Sequence, residues 1–463
     1  MSSNLQYDAV IIGSGSSGGT AAYRLQSAGL NCLLLEAGHY HTAKTYPRPE
    51  ADYSAQLFWG GGIEISQSGR MGFLRGRCVG GSSIINQGLM DRFDKVAFDD
   101  WRADSGIDFF TEEAMAPYYD AIESRMTLQY IPESYRNRNA HKFIEGMEAI
   151  GCKWGILRRG QCDCGTPEGN DCIACLGGCH RDSKQSSLVV SIRPAEELGL
   201  TVWDHATVTR VEHRNDGVRI EGTRNGEAFN IDAPRVVLAG GSFGTTDILL
   251  RSGFKDKLPA LGTRVATHPQ FMSFAYFDEP IDAHMGAFQS VKSDDPDFRQ
   301  RGFKLENVYG QPIGLAMLYP GFGRELHEFM AGYRHMACME VALRDEATGE
   351  IKLDKKGRMR VHKDLTAQDQ ARAKDGLEVV YSIYDAIKPK RIVQSPLQFC
   401  LHLMGGCPIG MDPKTSVVDA NFQVHGHPNL FCADTSVFPN APGINPALTT
   451  MALTNKMVEG MLN

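Results

Sequence analysis

The chain of 463 residues lacks several features that would assign it to a class at once. No apolar run approaches the roughly 18 residues that a membrane-spanning helix needs. Basic residues are not in excess, since 48 Lys and Arg stand against 55 Asp and Glu, for a net charge of -7. The first residues, MSSNLQYDAVIIG, lack the basic and apolar regions of a secretory signal. We therefore expect no transmembrane segment, no nucleic-acid partner and a cytoplasmic location.

What the chain does have is length, glycine and cysteine. A single hydrophobic core stops growing at roughly 250–300 residues, so two domains or one elaborate α/β enzyme are expected. The content of 42% hydrophobic and 22% charged residues excludes disordered and fibrous classes. The 49 glycines and 12 cysteines therefore carry the specific information.

A dinucleotide-binding unit is predicted at the amino terminus. An apolar run at 7–12 ends in GSGSSGG, and a second apolar run ends at Glu36, which is the pattern of a βαβ unit. Gly13 allows the tight turn, Gly15 lets backbone N–H groups approach a pyrophosphate, and Gly18 lets the helix pack on the strand. Glu36 would accept a hydrogen bond from a ribose hydroxyl. No Arg follows it to bind a 2′-phosphate, so the motif disfavours NADP and leaves FAD and NAD open.

Three later segments help to choose between these cofactors. RGRCVGGSSIIN at 75–86 and PRVVLAGGSFGTT at 234–246 both place glycines where a backbone passes close to a large flat ligand. PNLFCADTSVFP predicts a strand that ends at Asp434, and a helix is predicted to begin near Pro446.

Together with HLMGGC at 402–407 and GINPALT at 443–449, these segments resemble the glucose-methanol-choline (GMC) family of FAD oxidoreductases. Asn445 stands where some members carry a second His, which is similar to the cholesterol oxidase and bacterial glucose dehydrogenase branches. The resemblance implies that an alcohol passes hydride to flavin N5. It makes His402 the base for the hydroxyl proton and Asn445 the group that orients the substrate oxygen.

The resemblance also implies which residues lie against the cofactor. Members that bond FAD covalently have a histidine where this chain has Ile85, so noncovalent FAD is expected. Beside Gly13, Gly15, Gly18 and Glu36, the expected cofactor contacts are Ser16, Gly80, Gly81, Ser82, Asn86, Val208, Ala239, Asp434, Asn445 and Pro446.

Five cysteines lie within 18 residues, at Cys162, Cys164, Cys172, Cys175 and Cys179. Zinc prefers paired C-x-x-C hooks, and only one is present. Iron-sulfur clusters accept C-x-x-C-x-x-x-C runs, and the segment resembles the cluster-bearing stretch of some bacterial GMC dehydrogenases. We expect a 3Fe-4S or 4Fe-4S cluster on Cys172, Cys175 and Cys179, with Cys162 or Cys164 as a fourth ligand. Buried thiols or disulfides, and zinc, are the alternatives.

The expected fold class is α/β, with a Rossmann-type FAD-binding domain built from separate segments and a substrate domain with an antiparallel sheet and helices. The FAD domain comprises 1–100, 195–262 and 395–463. Residues 101–194 form an arm that covers the flavin and carries the cysteines, and 263–394 form the substrate domain.

Two local expectations concern the predicted insertions. TEEAMAPYYDAIESRMT, at 111–127, predicts a helix capped by Thr111. The alternation of apolar and polar residues over 263–365 predicts an antiparallel sheet with one face in water. His268, His284 and His335 lie in this region, and we expect none of them to be catalytic.

The sequence therefore predicts an FAD-dependent alcohol dehydrogenase whose electrons leave through the cluster to a protein or quinone. Methionines and aromatics in the substrate domain favour an apolar or aromatic alcohol, or a sterol. A sugar dehydrogenase, an alcohol oxidase without a cluster and a flavin-bound lyase remain alternatives. The partner also stays open: it could be an electron-acceptor protein, or a companion subunit with which the chain is exported.

Overall fold

A computed structural model describes residues 6–165, 172–214, 216–319 and 321–463, with Cys172 described by its backbone. The described strands, in chain order, are β1 (Ala9–Ile12), β2 (Cys32–Leu35), β3 (Glu64–Ile65), β4 (Met71–Phe73), β5 (Leu128–Tyr130), β6 (Trp154–Ile156), β7 (Arg158–Gly160), β8 (Thr201–Trp203), β9 (Ala206–Arg214), β10 (Gly217–Arg224), β11 (Glu227–Ala233), β12 (Val236–Leu238), β13 (Pro269–Tyr276), β14 (Val291–Ser293), β15 (Phe303–Asn307), β16 (Met336–Leu343), β17 (Glu350–Leu353), β18 (Met359–His362), β19 (Arg391–Gln394), β20 (Gln398–Cys400), β21 (Gln423–Val424) and β22 (His427–Cys432).

The described α-helices are α1 (Ser16–Ser27), α2 (Glu50–Leu57), α3 (Ser82–Ile85), α4 (Lys95–Ser105), α5 (Glu112–Glu123), α6 (Arg138–Ala149), α7 (Arg193–Glu197), α8 (Gly241–Arg251), α9 (Pro296–Arg301), α10 (Pro312–Leu318), α11 (Arg324–Ala331), α12 (Ala367–Ile387) and α13 (Ala447–Leu462). The mixed α/β class predicted from the sequence is confirmed.

A largely parallel sheet forms the nucleotide-binding half of the molecule, in the strand order β21-β22-β12-β1-β2-β8. Strands β1 and β2 are parallel neighbours with Ile12 opposite Leu35, and every residue of both strands is buried. Helix α1 connects these two strands, so the predicted βαβ unit is present. The strands of this sheet come from 9–35, 201–238 and 423–432, which are far apart in the chain.

A second, mostly antiparallel sheet has the order β3-β4-β20-β13-β16-β15-β14-β6, with β19 also paired to β13. The prediction of one face in water is wrong for its central strands. Strand β16 is buried at every position, and β13 at every position except Tyr276. Helices α6 and α12 contact β16, and strands β13 and β15 pair with its two edges. Alternating polarity in these strands reflects polar side chains that are held inside the protein.

Two helices begin with a side-chain cap, and the cap of α5 is the one that the sequence predicts. The Thr111 side chain accepts a hydrogen bond from Ala114 N–H (3.0 Å) at the start of α5. Helix α12 begins with a capping box in which Thr366 and Asp369 each bond the other's backbone N–H. In the part of the chain that is described, no helix combines the length and the apolar character needed to cross a membrane.

Candidate active site

The turn between β1 and α1 has the open form that a phosphate group needs. A Cβ on Gly18 would lie 1.8 Å from the carbonyl oxygen of Gly13, which itself has φ +100°, so both positions require glycine. A Cβ on Gly15 would meet nothing within 4 Å. Gly15 also caps α1 without a side-chain hydrogen bond, so the N–H groups of Ser16, Ser17 and Gly18 stay available at the positive end of the helix.

Glu36 lies just beyond the end of β2 and faces this turn. Its Oε2 accepts hydrogen bonds from Ser14 Oγ (2.5 Å) and Ser14 N–H (3.2 Å), and its Oε1 accepts one from Gly38 N–H (2.9 Å). Burial raises the pKa of Glu36, and these bonds oppose the rise without cancelling it. A carboxylate has about four acceptor positions, so one remains for a ribose hydroxyl.

The second glycine-rich segment packs directly on the first. Gly80 and Gly81 have φ +98° and +55°, and a Cβ on Gly81 would lie 2.8 Å from Cα of Gly15. Ser82 begins α3 with its side chain exposed, whereas Ile85 in the same helix is buried. The structure therefore brings two segments 65 residues apart to one open surface.

Asp434 follows β22 and supports this surface from the same carboxyl edge of the parallel sheet. Its Oδ2 accepts hydrogen bonds from Gly241 N–H (2.7 Å) and Thr245 Oγ (2.6 Å), which fixes the glycine corner after β12. At the same corner, a Cβ on Gly13 would lie 2.3 Å from the carbonyl oxygen of Ala239. Asp434 thus holds this corner in place by hydrogen bonds, and Ala239 joins it to β1 by donating its N–H to the carbonyl of Ile12 (2.8 Å).

Three further predicted residues lie around this surface. Asn86 follows α3, and its Oδ1 accepts a hydrogen bond from Gly88 N–H (3.0 Å). Val208 lies in β9, whose first residue, Ala206, donates its N–H to the carbonyl of Glu36 (2.8 Å). Pro446 is the N-cap of α13.

The two residues predicted to be catalytic lie side by side. Asn445 Nδ2 lies 3.5 Å from His402 Nε2. Lys304 Nζ donates a hydrogen bond to Asn445 Oδ1 (2.7 Å). Because an ammonium group can only donate, this bond fixes which end of the amide faces His402.

His268, which was not expected to be catalytic, lies directly against His402. Its Nδ1 lies 2.9 Å from His402 Nδ1, and its Nε2 accepts a hydrogen bond from Gly443 N–H (2.9 Å). A neutral imidazole has one donor and one acceptor nitrogen. His268 therefore carries its proton on Nδ1 and donates it to His402.

Both imidazoles are held neutral by their surroundings. Burial and the charge of Lys304 lower the pKa of His402 to about 4. Burial and the neighbouring His402 place the pKa of His268 well below its ordinary value. At neutral pH the pair therefore has an unprotonated nitrogen on each ring.

The charge of Lys304 is balanced by a buried pair of glutamates. Lys304 Nζ lies 2.7 Å from Glu306 Oε1, and Glu306 pairs with Glu340 across β15 and β16. Burial and the charge of Glu306 raise the pKa of Glu340 well above its usual range, whereas Lys304 keeps Glu306 ionised. Nothing in the alternation of β15 distinguishes Lys304 from a surface lysine, so the sequence gives no signal for it. His268 lies in the same alternating region, which gives no signal for it either.

The cysteine segment is only partly described. Cys162 is exposed, with Sγ 3.3 Å from Thr127 Oγ1, while Cys164, Cys175 and Cys179 are buried. Among the described residues, no three cysteine sulfurs come close enough together to hold a metal ion. The side chain of Cys172 lies outside the described residues, so the predicted cluster stays a prediction.

Cys179 nevertheless has the character of a thiolate. A hydrogen bond from Cys175 lowers its pKa to about 5, with help from the backbone and charge of Lys184 and against the effect of burial. Lys184 Nζ donates hydrogen bonds to the carbonyl oxygens of Asn86 (2.8 Å) and Cys175 (2.9 Å). This lysine thus connects the cysteine segment to the glycine-rich segment of the predicted flavin site.

Family models match most of the chain. Residues 54–270 and 345–454 match two models that are both described as GMC oxidoreductase, and residues 11–67 match an NAD(P)-binding Rossmann-like domain. An uncharacterised GMC-type oxidoreductase of Sinorhizobium fredii is 28% identical over 501 residues, covering 99% of this chain and 95% of that protein. A long-chain-alcohol oxidase of Arabidopsis thaliana is 25% identical, covering 99% of this chain and 68% of that protein.

Solved structures share the fold over the whole chain. Pyridoxine 4-oxidase from Mesorbium loti superposes with a TM-score of 0.78 at 18% identity, covering 98% of each chain. Formate oxidase of Aspergillus oryzae gives a TM-score of 0.74 at 15% identity, covering 100% of this chain and 99% of that one.

Proposed function

Because the chain belongs to the GMC oxidoreductase family, whose members are FAD-dependent oxidoreductases acting on CH–OH donors, we propose that it oxidises an alcohol at His402 and Asn445. FAD, when bound, supplies at flavin N5 the acceptor for the carbon-bound hydrogen. The side chains of the protein must then hold the substrate oxygen and remove its proton.

The observation that carries the proposal is the pairing of one titratable and one fixed group. His402 is neutral above pH about 4, so it can take up a proton. Asn445 never titrates, and Lys304 turns its amide so that Nδ2 faces His402. An oxygen placed between these nitrogens would receive a hydrogen bond from the amide and give its proton to the imidazole. Oxidation of an alcohol requires both a hydrogen bond to the substrate oxygen and a base for its proton.

His268 influences which nitrogen of His402 is ready to act. In the resting pair, His268 donates to His402 Nδ1, so the proton of His402 lies on Nε2. To accept a proton at Nε2, His402 must first move its own proton to Nδ1, and His268 must give up the bond from Gly443. Leaving that N–H unsatisfied costs about 1–3 kcal/mol. Once the substrate proton is on Nε2 of His402, this Nε2–H group and the Asn445 amide can both donate hydrogen bonds to the product carbonyl oxygen.

The described loops fit noncovalent FAD. The uncapped start of α1 offers N–H groups for a pyrophosphate, the space above Gly15 is open, and Glu36 keeps an acceptor for a ribose. Ile85 offers no atom for a covalent bond to the flavin and is buried in α3. We propose that these loops hold the FAD and that Asp434 holds the loops.

We also propose the domain division expected from the sequence. The FAD domain comprises 1–100, 195–262 and 395–463, and the parallel sheet draws its strands from these three ranges. Residues 101–194 would cover the flavin, which the bonds of Lys184 to the flavin segment support. Residues 263–394 would form the substrate domain, since they contribute the central strands of the second sheet.

Two routes for the electrons are proposed, each with its own support. The low pKa of Cys179 beside Cys175 favours a metal-ligating thiolate, and hence a dehydrogenase with an iron-sulfur cluster and an acceptor protein or quinone. The names long-chain-alcohol oxidase and pyridoxine 4-oxidase among the similar proteins favour an oxidase that reduces oxygen. Iron and acid-labile sulfide in the purified protein would select the first route. Peroxide formed in proportion to substrate, without iron, would select the second.

An apolar alcohol is the proposed substrate class. Leu401, beside His402, exposes 42% of its surface although it is a large hydrophobic residue. The similarity to a long-chain-alcohol oxidase points the same way. Aromatic alcohols, sterols and sugars belong in the same assay as comparators.

The decisive experiment is an anaerobic screen with the FAD-loaded protein. Aliphatic and aromatic alcohols, sterols and sugars are mixed with it, and loss of flavin absorbance is followed. The proposal expects bleaching by an alcohol and none by the corresponding alkane. Full occupancy with FAD and no bleaching by any alcohol would contradict alcohol oxidation. An alcohol consumed while the flavin stays oxidised would indicate a lyase instead.

A further inference from the structure

Three side chains converge near the proposed adenosine end of the FAD site. His39 Nδ1 lies 2.8 Å from Asp204 Oδ2 and 3.0 Å from His205 Nε2, and His205 Nε2 lies 3.9 Å from Asp204 Oδ2. Of the residues the structure describes, these three alone form a group of His, Cys, Asp or Glu whose possible ligand atoms all lie within 4.8 Å of one another. A point about 2.0 Å from all three atoms, the bond length of zinc to imidazole nitrogen and carboxylate oxygen, lies in the plane of these atoms. A tetrahedral ion places its ligands about 3.3 Å apart, so the side chains would shift by roughly half an ångström to bind it.

We propose that His39, Asp204 and His205 form a binding site for a divalent transition-metal ion of the Zn²⁺ class. Two imidazoles and one carboxylate suit zinc and its neighbours and do not suit Ca²⁺ or Mg²⁺, which prefer oxygen ligands. The proposal does not depend on the oxidation chemistry at His402.

The hydrogen-bonding pattern alone leaves this group poorly satisfied. An imidazole nitrogen has a single position in the ring plane, filled by either a proton or a lone pair. His39 Nδ1 nevertheless faces both the oxygen of Asp204 and the nitrogen of His205. One proton has to be shared between the two partners, whereas one cation accepts a lone pair from all three atoms.

The backbone holds these ligands in place from two sides. His205 has φ +50°, a conformation that residues with a Cβ rarely adopt, and its N–H donates to the carbonyl of Gly38 (3.0 Å). Tyr40 N–H donates to Asp204 Oδ2 (3.1 Å), which orients the carboxylate. The loop after β2 and the turn before β9 are therefore fixed against each other, as a preformed site requires.

The ligands remain open to solvent. The exposed fractions of the His39, Asp204 and His205 side chains are 50%, 24% and 46%. An ion can enter, and water can complete its coordination. The ion would join the loop that follows β2 and begins at Glu36, which is proposed to bind the ribose, to the turn that precedes β9.

The test uses tag-free, FAD-loaded protein dialysed against Zn²⁺, followed by metal analysis. We expect about one Zn²⁺ per chain, retained in the presence of excess Mg²⁺. His39→Ala and Asp204→Asn should each weaken Zn²⁺ binding at least tenfold. His427→Ala is the matched control, because His427 packs on His213 (ring centroids 5.3 Å apart) without belonging to a metal-like group among the described residues.

X-ray absorption at the zinc edge should show two imidazoles and one carboxylate at about 2.0–2.2 Å. The proposal is overturned if the unaltered protein retains no Zn²⁺. It is also overturned if His39→Ala binds Zn²⁺ as tightly as the unaltered protein, or if Mg²⁺ competes equally. FAD content is measured in parallel, and a variant that loses FAD but keeps Zn²⁺ would count against the site as well.

Discussion

Lys304 is predicted to control the rate of alcohol oxidation through Asn445, although it need not touch the substrate. Its ammonium group donates to Asn445 Oδ1 (2.7 Å) and so keeps Nδ2 directed at His402. Lys304→Met removes that charge-assisted bond and frees the amide to rotate. It also removes a charge that lowers the pKa of His402.

The size of the effect follows from this bond. Hydrogen bonds to charged groups contribute about 1.5–3 kcal/mol, so the flavin reduction rate should fall by about 10- to 100-fold. The acid limb of the pH–rate profile, near pH 4 in the unaltered protein, should move to higher pH. The sign follows because His402 acts as a base only when unprotonated, and a higher pKa leaves less of that form at low pH.

Stability must be separated from rate, because Lys304→Met leaves Glu306 without its ion pair. Breaking a buried pair costs about 3–5 kcal/mol. The double variant Lys304→Met with Glu306→Gln removes both charges and should recover most of the melting temperature without recovering the rate. Lys292→Met, in the neighbouring strand and 3.7 Å from Asp91, is the matched control and should change the rate less than about twofold. A stable double variant with flavin reduction within about threefold of the unaltered protein would refute this account of Lys304.

Three further predictions follow from single contacts. His402→Ala should slow flavin reduction by about two to four decades while FAD content stays normal, and loss of FAD would show a role in the fold instead. Gly15→Ala should fold but bind FAD more weakly, because its Cβ enters the open space proposed for the FAD. Gly18→Ala should not fold, because its Cβ would fall 1.8 Å from a carbonyl oxygen. Circular dichroism tests the folding of each variant, and FAD titration tests the binding. Asp345→Ala should lower stability by about 3–5 kcal/mol in thermal unfolding, because it leaves the fully buried Lys363 unpaired, and Asp345→Ala with Lys363→Met should recover much of that loss.

The parts of the site that depend on local sequence were predictable. Gly13, Gly15 and Gly18 at a strand-to-helix turn specify their own geometry, and the structure places them as the motif requires. Thr111 specifies the start of α5 in the same way. For Gly18 and Thr111 the deciding contacts lie within a few residues along the chain.

The parts that depend on strand pairing were not predictable. Lys304 reaches Asn445 across 141 residues, and His268 reaches His402 across 134. Both contacts arise from the way β15, β13 and β20 are ordered in the second sheet, which no periodicity reveals. For the same reason, the polar positions of β16 suggested a face in water, although Glu340 is buried against Glu306.

The low pKa of His402 also limits the order of events in the proposed oxidation. A hydroxyl as weakly acidic as water has a pKa of about 15.7, roughly 12 units above the value of about 4 for His402. Forming a free alkoxide first would therefore cost about 16 kcal/mol, which is about the whole barrier of an enzyme that turns over ten times per second. Proton transfer to His402 must accordingly accompany hydride departure from carbon.

This reasoning predicts that isotope effects from the carbon-bound hydrogen and from the solvent both appear on flavin reduction. Stopped-flow measurements in H₂O and D₂O, with and without deuterium on the alcohol carbon, provide the test. For a single step, the solvent effect has the same size with either substrate, because both transfers share one transition state. For an alkoxide formed in advance, deuterium on carbon makes hydride transfer more rate-limiting and the solvent effect shrinks. A solvent effect that disappears with the deuterated alcohol would show that the proton leaves before the hydride. Because His402 is too weak a base to remove the proton in advance, another group would then have to remove it.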